Sequence, residues 1–454
     1  MKFAVTAIEL FERDVRLRLP FRFGVVTLTA APQAFVRLRV RCADAREAEG
    51  AAAEMLVPKW FDKDPALSNE DNFDQLRASL AAAREAYLAA GSNTAWGHFL
   101  ALTRPGLVAG YGPALIERAA LDALCRAQQV SFYEALRRNL VGAEAFEGLE
   151  LPAVLASLAA APSIAARHTV GLLDAIGSTD ARVRVNDGLP ETLEEVIARY
   201  GHRYFKLKVA GDVPADLERL AAIAAVLDRI AEPYYVSLDG NEQFDDMAEV
   251  AELWRRMGSD WRLERLAASV LFIEQPVTRR RALQQPVEGI ERPIIIDESD
   301  DGLDAFPRAR ALGYRGVSSK TCKGIYRSLV NRARCAAWNA EAGSERYFMS
   351  GEDLTIQPGL ALQQDLALAS VLGLTHVERN GHHYVNGMAA LPPAEQAAFL
   401  AAHPDLYERS HGAVRPRIRR GMLAIGSLAC QGYASAAMPD WSSMQSMAIQ
   451  KEHA

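Results

Sequence analysis

The chain has 454 residues, 50% hydrophobic and 24% charged, with a formal net charge of -6. This is ordinary soluble composition, long enough for a barrel-sized domain plus a smaller one, and it carries no basic excess that would favour nucleic acid or an anionic membrane surface. No apolar run approaches the roughly 18–20 residues of a membrane span. The N-terminus, MKFAVTAIELFERDVRLRLPFRFG, meets charge before it builds a signal-peptide core. The five cysteines (Cys42, Cys125, Cys322, Cys335 and Cys430) form no C-x-x-C pair. Reduced, mostly buried thiols in the cytoplasm are the expectation.

Residues 2–41 alternate apolar and polar side chains in VTAIELF and QAFVRLRVR, which predicts antiparallel strands with one solvated face. LPFRFGVVTLTAAP between them reads as an apolar loop carrying Phe21 and Phe23. EGAAAEMLVPKWFDKDP ends in a second apolar loop with Met55, Trp60 and Phe61. Both loops suit either the core of a small domain or the cover of a binding site. From Asn69 to Asn139 the pattern is helical, as in DQLRASLAAAREAYLAA, and GAEAFEGLELP is the best domain boundary.

Strands and helices then alternate, which predicts βα units of a parallel sheet. Of two candidates for the first strand, ARHTVGLL and ARVRVND, the second is favoured because a helix, PETLEEVIARYG, follows directly. With HRYFKLKV, PYYVSLD, SVLFIEQ, RPIIIDE, YRGVSSK, ERYFMSGED and LTHVERN it makes eight, the number that closes a (β/α)8 barrel. After Gly381 the regularity fails. The tail is expected to pack back on the N-terminal domain, with SMQSMAIQKEHA disordered.

Several of these strands end in an ionisable group, and strand ends of such a barrel converge on one site. Asp239, Glu274 and Asp297 supply oxygen ligands suited to a hard divalent cation. Singly each reads as an ordinary strand-end acid; on consecutive βα units the joint reading favours a metal. Glu298 should face the other side of its strand, so Asp297 is preferred as ligand and Glu298 is the fallback. Lys206 and Lys208, two apart, face the same way, into the barrel. Lys320 ends the sixth strand across from them, and Lys323 reads as a loop residue. A neighbouring ammonium and a cation would lower the pKa of Lys208 enough for it to act as a base. Two lysines on opposite faces of a bound acid could exchange a proton at one carbon, with the metal stabilising the resulting enediolate.

The pieces K-L-K at Lys206–Lys208, D-G-N at Asp239–Asn241, E-Q-P at Glu274–Pro276, D-E-S at Asp297–Ser299 and S-S-K-T-C-K-G at Ser318–Gly324 resemble the enolase superfamily. Within it they are similar to the muconate-lactonizing-enzyme-like subgroup of the mandelate racemase/muconate lactonizing enzyme family. The resemblance implies an α/β fold: a modified, enolase-like (β/α)8 TIM barrel with an N-terminal α+β capping domain completed by the C-terminal tail. The expected boundaries are 1–150 for the capping domain, 151–380 for the barrel and 381–454 for the tail. The resemblance further implies Mg²⁺, with Mn²⁺ as a substitute, on Asp239, Glu274 and Asp297. Lys208 and Lys320 would be the acid/base pair, Lys206 would assist the carboxylate, and the chain would be a homo-oligomer. Asn241, Glu298, Asp353, Glu378, Phe23 and Trp60 are the expected substrate contacts, with the two N-terminal loops as lids. Dipeptide epimerases of the family carry D-x-D on the eighth strand, where this chain has His376-Val377-Glu378-Arg379-Asn380, which argues against a dipeptide.

The reaction these features favour is abstraction of a proton α to the carboxylate of a small carboxylic acid, with racemisation or epimerisation leading. Cycloisomerisation (lactonization) and acid dehydration share the same first step. A non-catalytic binding protein on the same scaffold is the rival of a different class, and a phosphate-binding barrel lacks its glycine-rich loops.

Overall fold

The computed structural model describes residues 1–180, 183–354 and 357–448. Its N-terminal part is an antiparallel sheet of three long strands, Lys2–Phe23, Val26–Cys42 and Glu47–Met55. Helices Asn69–Ala89 and Leu107–Ala127 pack against it. The first of these helices starts at a reciprocal capping box between Ser68 and Asp71. LPFRFGVVTLTAAP is not a loop. It is the far end of a hairpin, with Phe21 opposite Leu28 and Phe23 opposite Val26. Pro20, which has no N–H for a ladder, falls inside the register shift between Arg16 and Phe21.

Eight parallel strands form the second part: Ser163–Val170, Tyr204–Lys208, Tyr235–Asp239, Val270–Glu274, Ile294–Ile296, Gly316–Ser319, Phe348–Gly351 and His376–Arg379. Each pairs with the next, and the eighth returns to the first, closing the barrel. The first strand is therefore SIAARHTV and not ARVRVND. Of the latter, Ala181 and Arg182 lie outside the described residues and 183–187 form no strand. The Glu191 carboxylate accepts the N–H groups of Val185 and Asn186 at 2.9 Å each, and Arg18 holds Asp187 at 2.7 Å. Backbone donors of this segment are thus used by a side chain and are unavailable to a sheet.

The tail reaches the barrel as well as the N-terminal part. Met422–Ala424 pairs with the first barrel strand, while Gln445–Ser446 pairs with the N-terminal strand at Phe11 and Glu12. It packs on both parts, and SMQSMAIQKEHA is ordered at its start; residues 449–454 lie outside the described residues. All five cysteines are free thiols and four are buried. Among the described residues no helix is long and apolar enough to cross a membrane.

Candidate active site

Register builds the site. Lys208 pairs with Asp239, and Asp239 with Glu274, so three neighbouring strands present these side chains in one row at their C-terminal ends. The chain then turns sharply: Asn241, Glu242 and Gln275 all have positive φ (41°, 68° and 35°). Such strain at non-glycine residues persists where the surroundings over-determine it. Gly240 lies so close to the next strand that a Cβ there would come within 2.7 Å of the Pro276 Cα. The Gln275 side chain accepts from the N–H groups of Asp297 (2.8 Å) and Ser299 (3.0 Å) and donates to the Ser299 hydroxyl (2.8 Å). It thereby clamps the segment that carries Asp297.

Lys206 is wholly buried, and its Nζ lies 2.8 Å from Asp239, 2.8 Å from Glu274, 2.7 Å from Glu352 and 3.0 Å from Glu378. Burial works against its charge, but the four carboxylates outweigh it and hold the ammonium well above its ordinary pKa. Lys208 Nζ donates to Asp239 (2.5 Å) and to the Asn241 side chain (2.7 Å). Lys320 donates to Asp297 at 2.6 Å. Burial pulls Lys320 down and Asp297 pushes it up further, for a net rise.

The structure adds residues that the sequence reading left out. Glu352 ends the seventh strand and is held by Lys206, Ser350 (2.5 Å) and, through a short contact, Arg167. Arg167 belongs to the first strand, which was misassigned. Lys323, read as a loop residue, sits in the short turn Thr321–Lys323 after the sixth strand and is buried: its Nζ donates to Ser318 (2.8 Å) and lies 3.1 Å from Asp300 and 3.5 Å from Asp297. Glu298 does not turn away from the site. The strand ends at Ile296, so alternation no longer applies, and Glu298 meets the Asn241 amide at 3.2 Å and Lys63 at 3.1 Å. Lys63 comes from the loop after Met55 and also pairs with Glu242 at 2.7 Å. Arg279 holds the same loop through the carbonyls of Phe61 (2.8 Å) and Trp60 (3.0 Å).

Lys208 and Lys320 each have an aromatic cover from the N-terminal part. Lys208 Nζ lies 5.9 Å from the centre of the Phe23 ring, and Lys320 Nζ 4.3 Å from that of Trp60. Both lysines, Asn241, Asp353, Glu378, Phe23 and Trp60 line one cavity of about 10 Å³. Glu378 accepts from Thr169 (2.5 Å), Lys206 and the Asp353 N–H (2.9 Å). Burial raises the Asp353 carboxyl to about 7, opposed by Arg379. His382 and His383 pack elsewhere, against His168.

The donor set fits Mg²⁺ or Mn²⁺ in kind: three buried carboxylates on successive strands. Glu274 Oε1 is buried without a hydrogen-bond partner. Burial, with Asp239 and Glu352 nearby, pushes the Glu274 carboxyl well above its ordinary range. A cation there would relieve both. As placed, the three acids do not share a spot within 4.8 Å; Lys206 spans Asp239 and Glu274, while Lys320 holds Asp297.

Comparison with known proteins agrees with this architecture. The family described as Enolase C-terminal domain-like matches residues 188–425. No curated protein matches the chain. Among solved structures, an enolase from Bradyrhizobium complexed with magnesium and mandelic acid superposes with TM-score 0.63 at 15% identity, over 97% of each chain. A muconate lactonizing enzyme from Pseudomonas fluorescens complexed with muconolactone gives 0.61 at 20% identity, again over 97% of each chain. N-succinyl Arg/Lys racemase from Bacillus cereus gives 0.58 at 17% identity, over 84% of this chain and 89% of that one. The chain belongs to the enolase superfamily, in its mandelate racemase/muconate lactonizing enzyme family of enzymes.

Proposed function

We propose that this enzyme removes and returns the proton α to the carboxylate of a small carboxylic acid, as a racemase or epimerase. The observation that carries this reading is the pair Lys208 and Lys320, which come from the second and sixth strand ends and line the same closed cavity. Two ammonium/amine groups facing one α-carbon from different sides can each take the proton from one enantiomer and deliver it to the other. Lys206 stays charged among its four carboxylates and is a positioning and charge-balancing group, not a base. Asp239, Glu274 and Asp297 would hold Mg²⁺, which supplies Lewis-acid stabilisation of the charge developing on the substrate carboxylate. Asn241 orients the Lys208 amine, and Trp60 and Phe23 exclude water above the two lysines.

The relatives support the substrate class: their bound molecules include mandelic acid and muconolactone, and one is a racemase of N-succinyl amino acids. A cavity of about 10 Å³ holds about one water molecule, so substrate entry requires the hairpin tip and the Trp60 loop to move. The test is α-hydrogen exchange into D₂O, followed by NMR across a panel of 2-hydroxy acids, N-acylated amino acids and lactones with Mg²⁺ present. Exchange that disappears on chelation supports the reading. Turnover to a lactone or a dehydrated acid without exchange of recovered substrate overturns the racemase assignment.

A further inference from the structure

On the outer side of the barrel's closing seam lies a second constellation that the proposed chemistry does not use. His168 sits on the first strand opposite Arg379 of the eighth, His202 precedes the second strand, and His382 lies in the short helix Gly381–Tyr384. All three are buried. Each offers one ring nitrogen lying within 4.8 Å of the other two, and they are the one such trio of His, Cys, Asp or Glu among the described residues. His168 Nδ1 and His382 Nε2 are 3.1 Å apart. Two nitrogens bound at about 2.0–2.1 Å to one tetrahedral ion stand roughly 3.3 Å apart, so this spacing suits a shared ion.

The remaining nitrogens strengthen the case. His202 Nδ1 donates to the Ala166 carbonyl at 2.9 Å, leaving Nε2 buried with no partner. A backbone carbonyl on the far nitrogen is the usual way a ligating imidazole is oriented. Nδ1 of His382 and of the neighbouring His383 are also buried and unpartnered. Burial, with neighbouring rings adding to it at His168 and His382, keeps the imidazoles neutral, the form that binds metal. The nearby Arg18 is neutralised by Asp187, and Arg379 is paired with Asp365. His202 also lines a cavity of about 740 Å³ between helices Leu193–Tyr200 and Val213–Leu227.

We propose that His168, His202 and His382 form a second, structural metal site for a borderline transition-metal ion, Zn²⁺ foremost, separate from the carboxylate site at the barrel mouth. Imidazole donors select Zn²⁺, Co²⁺ or Ni²⁺ over Mg²⁺. The ion ties together the first strand, the segment entering the second strand and the turn after the eighth, and so staples the seam where the barrel closes.

The test uses untagged full-length protein in millimolar Mg²⁺, with metal content by mass spectrometry and Co²⁺ as optical probe. The expected result is one retained equivalent of Zn²⁺, an intense visible band of tetrahedral nitrogen-ligated Co²⁺, and a higher melting temperature with Zn²⁺. His202→Ala and His382→Ala, or the milder His202→Gln and His382→Gln where the alanine forms fail to fold, should lose the band. Asp239→Asn and Glu274→Gln at the barrel mouth should keep it, as should His411→Ala on the surface. Absence of a stoichiometric ion in wild type, a band surviving both histidine changes, or a band lost with the carboxylate variants would each overturn the proposal.

Discussion

Replacing Lys206 with methionine removes the ammonium that contacts all of Asp239, Glu274, Glu352 and Glu378 while keeping most of the side-chain volume. All five groups are buried, and Lys206 lies within 3.0 Å of each acid. Breaking a buried pair leaves charge uncompensated and costs about 3–5 kcal/mol. If the barrel, Ser163–Arg379, unfolds as one unit at ~2 cal/mol/K per residue, the melting temperature falls by roughly 7–12 °C. The sign of the pH dependence follows. Without Lys206 the folded-state carboxyl pKa values rise, so the variant's deficit is smallest at low pH, where these groups are protonated in both states. It widens as pH rises through the raised values. Added Mg²⁺ should stabilise the variant more than wild type. Differential scanning calorimetry between pH 5 and 8, with and without Mg²⁺, reads all three effects. A variant melting within about 2 °C of wild type at every pH would refute the idea that Lys206 balances this cluster.

Glu117 is buried and carries a carboxyl raised from 4.5 to about 7, mainly by burial. Its stabilising contribution is complete below pH 4.5 and is lost as pH rises through 7, about 3 kcal/mol in all; urea titrations should show that slope in wild type and not in Glu117→Gln. Gln275→Leu strips the acceptor from the N–H groups of Asp297 and Ser299, and calorimetric Mg²⁺ titration should show affinity weaker by roughly 10–100-fold. Lys63→Met unties the Trp60 loop from Glu242 and Glu298, and limited proteolysis should cut near residue 63 faster than in wild type.

Strand order and the residues at strand ends were legible because each short apolar run stops at one ionisable side chain, and register carries that spacing directly into a shared cavity. SIAARHTV is passed over in favour of ARVRVND because a helix follows the latter directly; the polar residues Arg167 and Thr169 of SIAARHTV serve Glu352 and Glu378, which a single sequence does not reveal. ARVRVND has the better alternation, yet Glu191 captures its backbone donors. The ring of acids around Lys206 needed the seventh and eighth strands in register, which spacing alone does not supply. LPFRFGVVTLTAAP reads as a loop because it is apolar throughout and ends in a breaker, Pro32, and the contact between Trp60 and Lys320 joins residues 260 positions apart. Such contacts depend on how the N-terminal sheet sits on the barrel.

The most direct test of the two-lysine mechanism follows α-proton exchange of each enantiomer of one accepted acid in D₂O with Mg²⁺, for wild type, Lys208→Arg and Lys320→Arg. Each variant should lose exchange from one enantiomer by a factor of about 100 or more while retaining exchange from the other. Equal loss for both enantiomers in one variant, with the second variant unaffected, would contradict two bases acting from opposite faces.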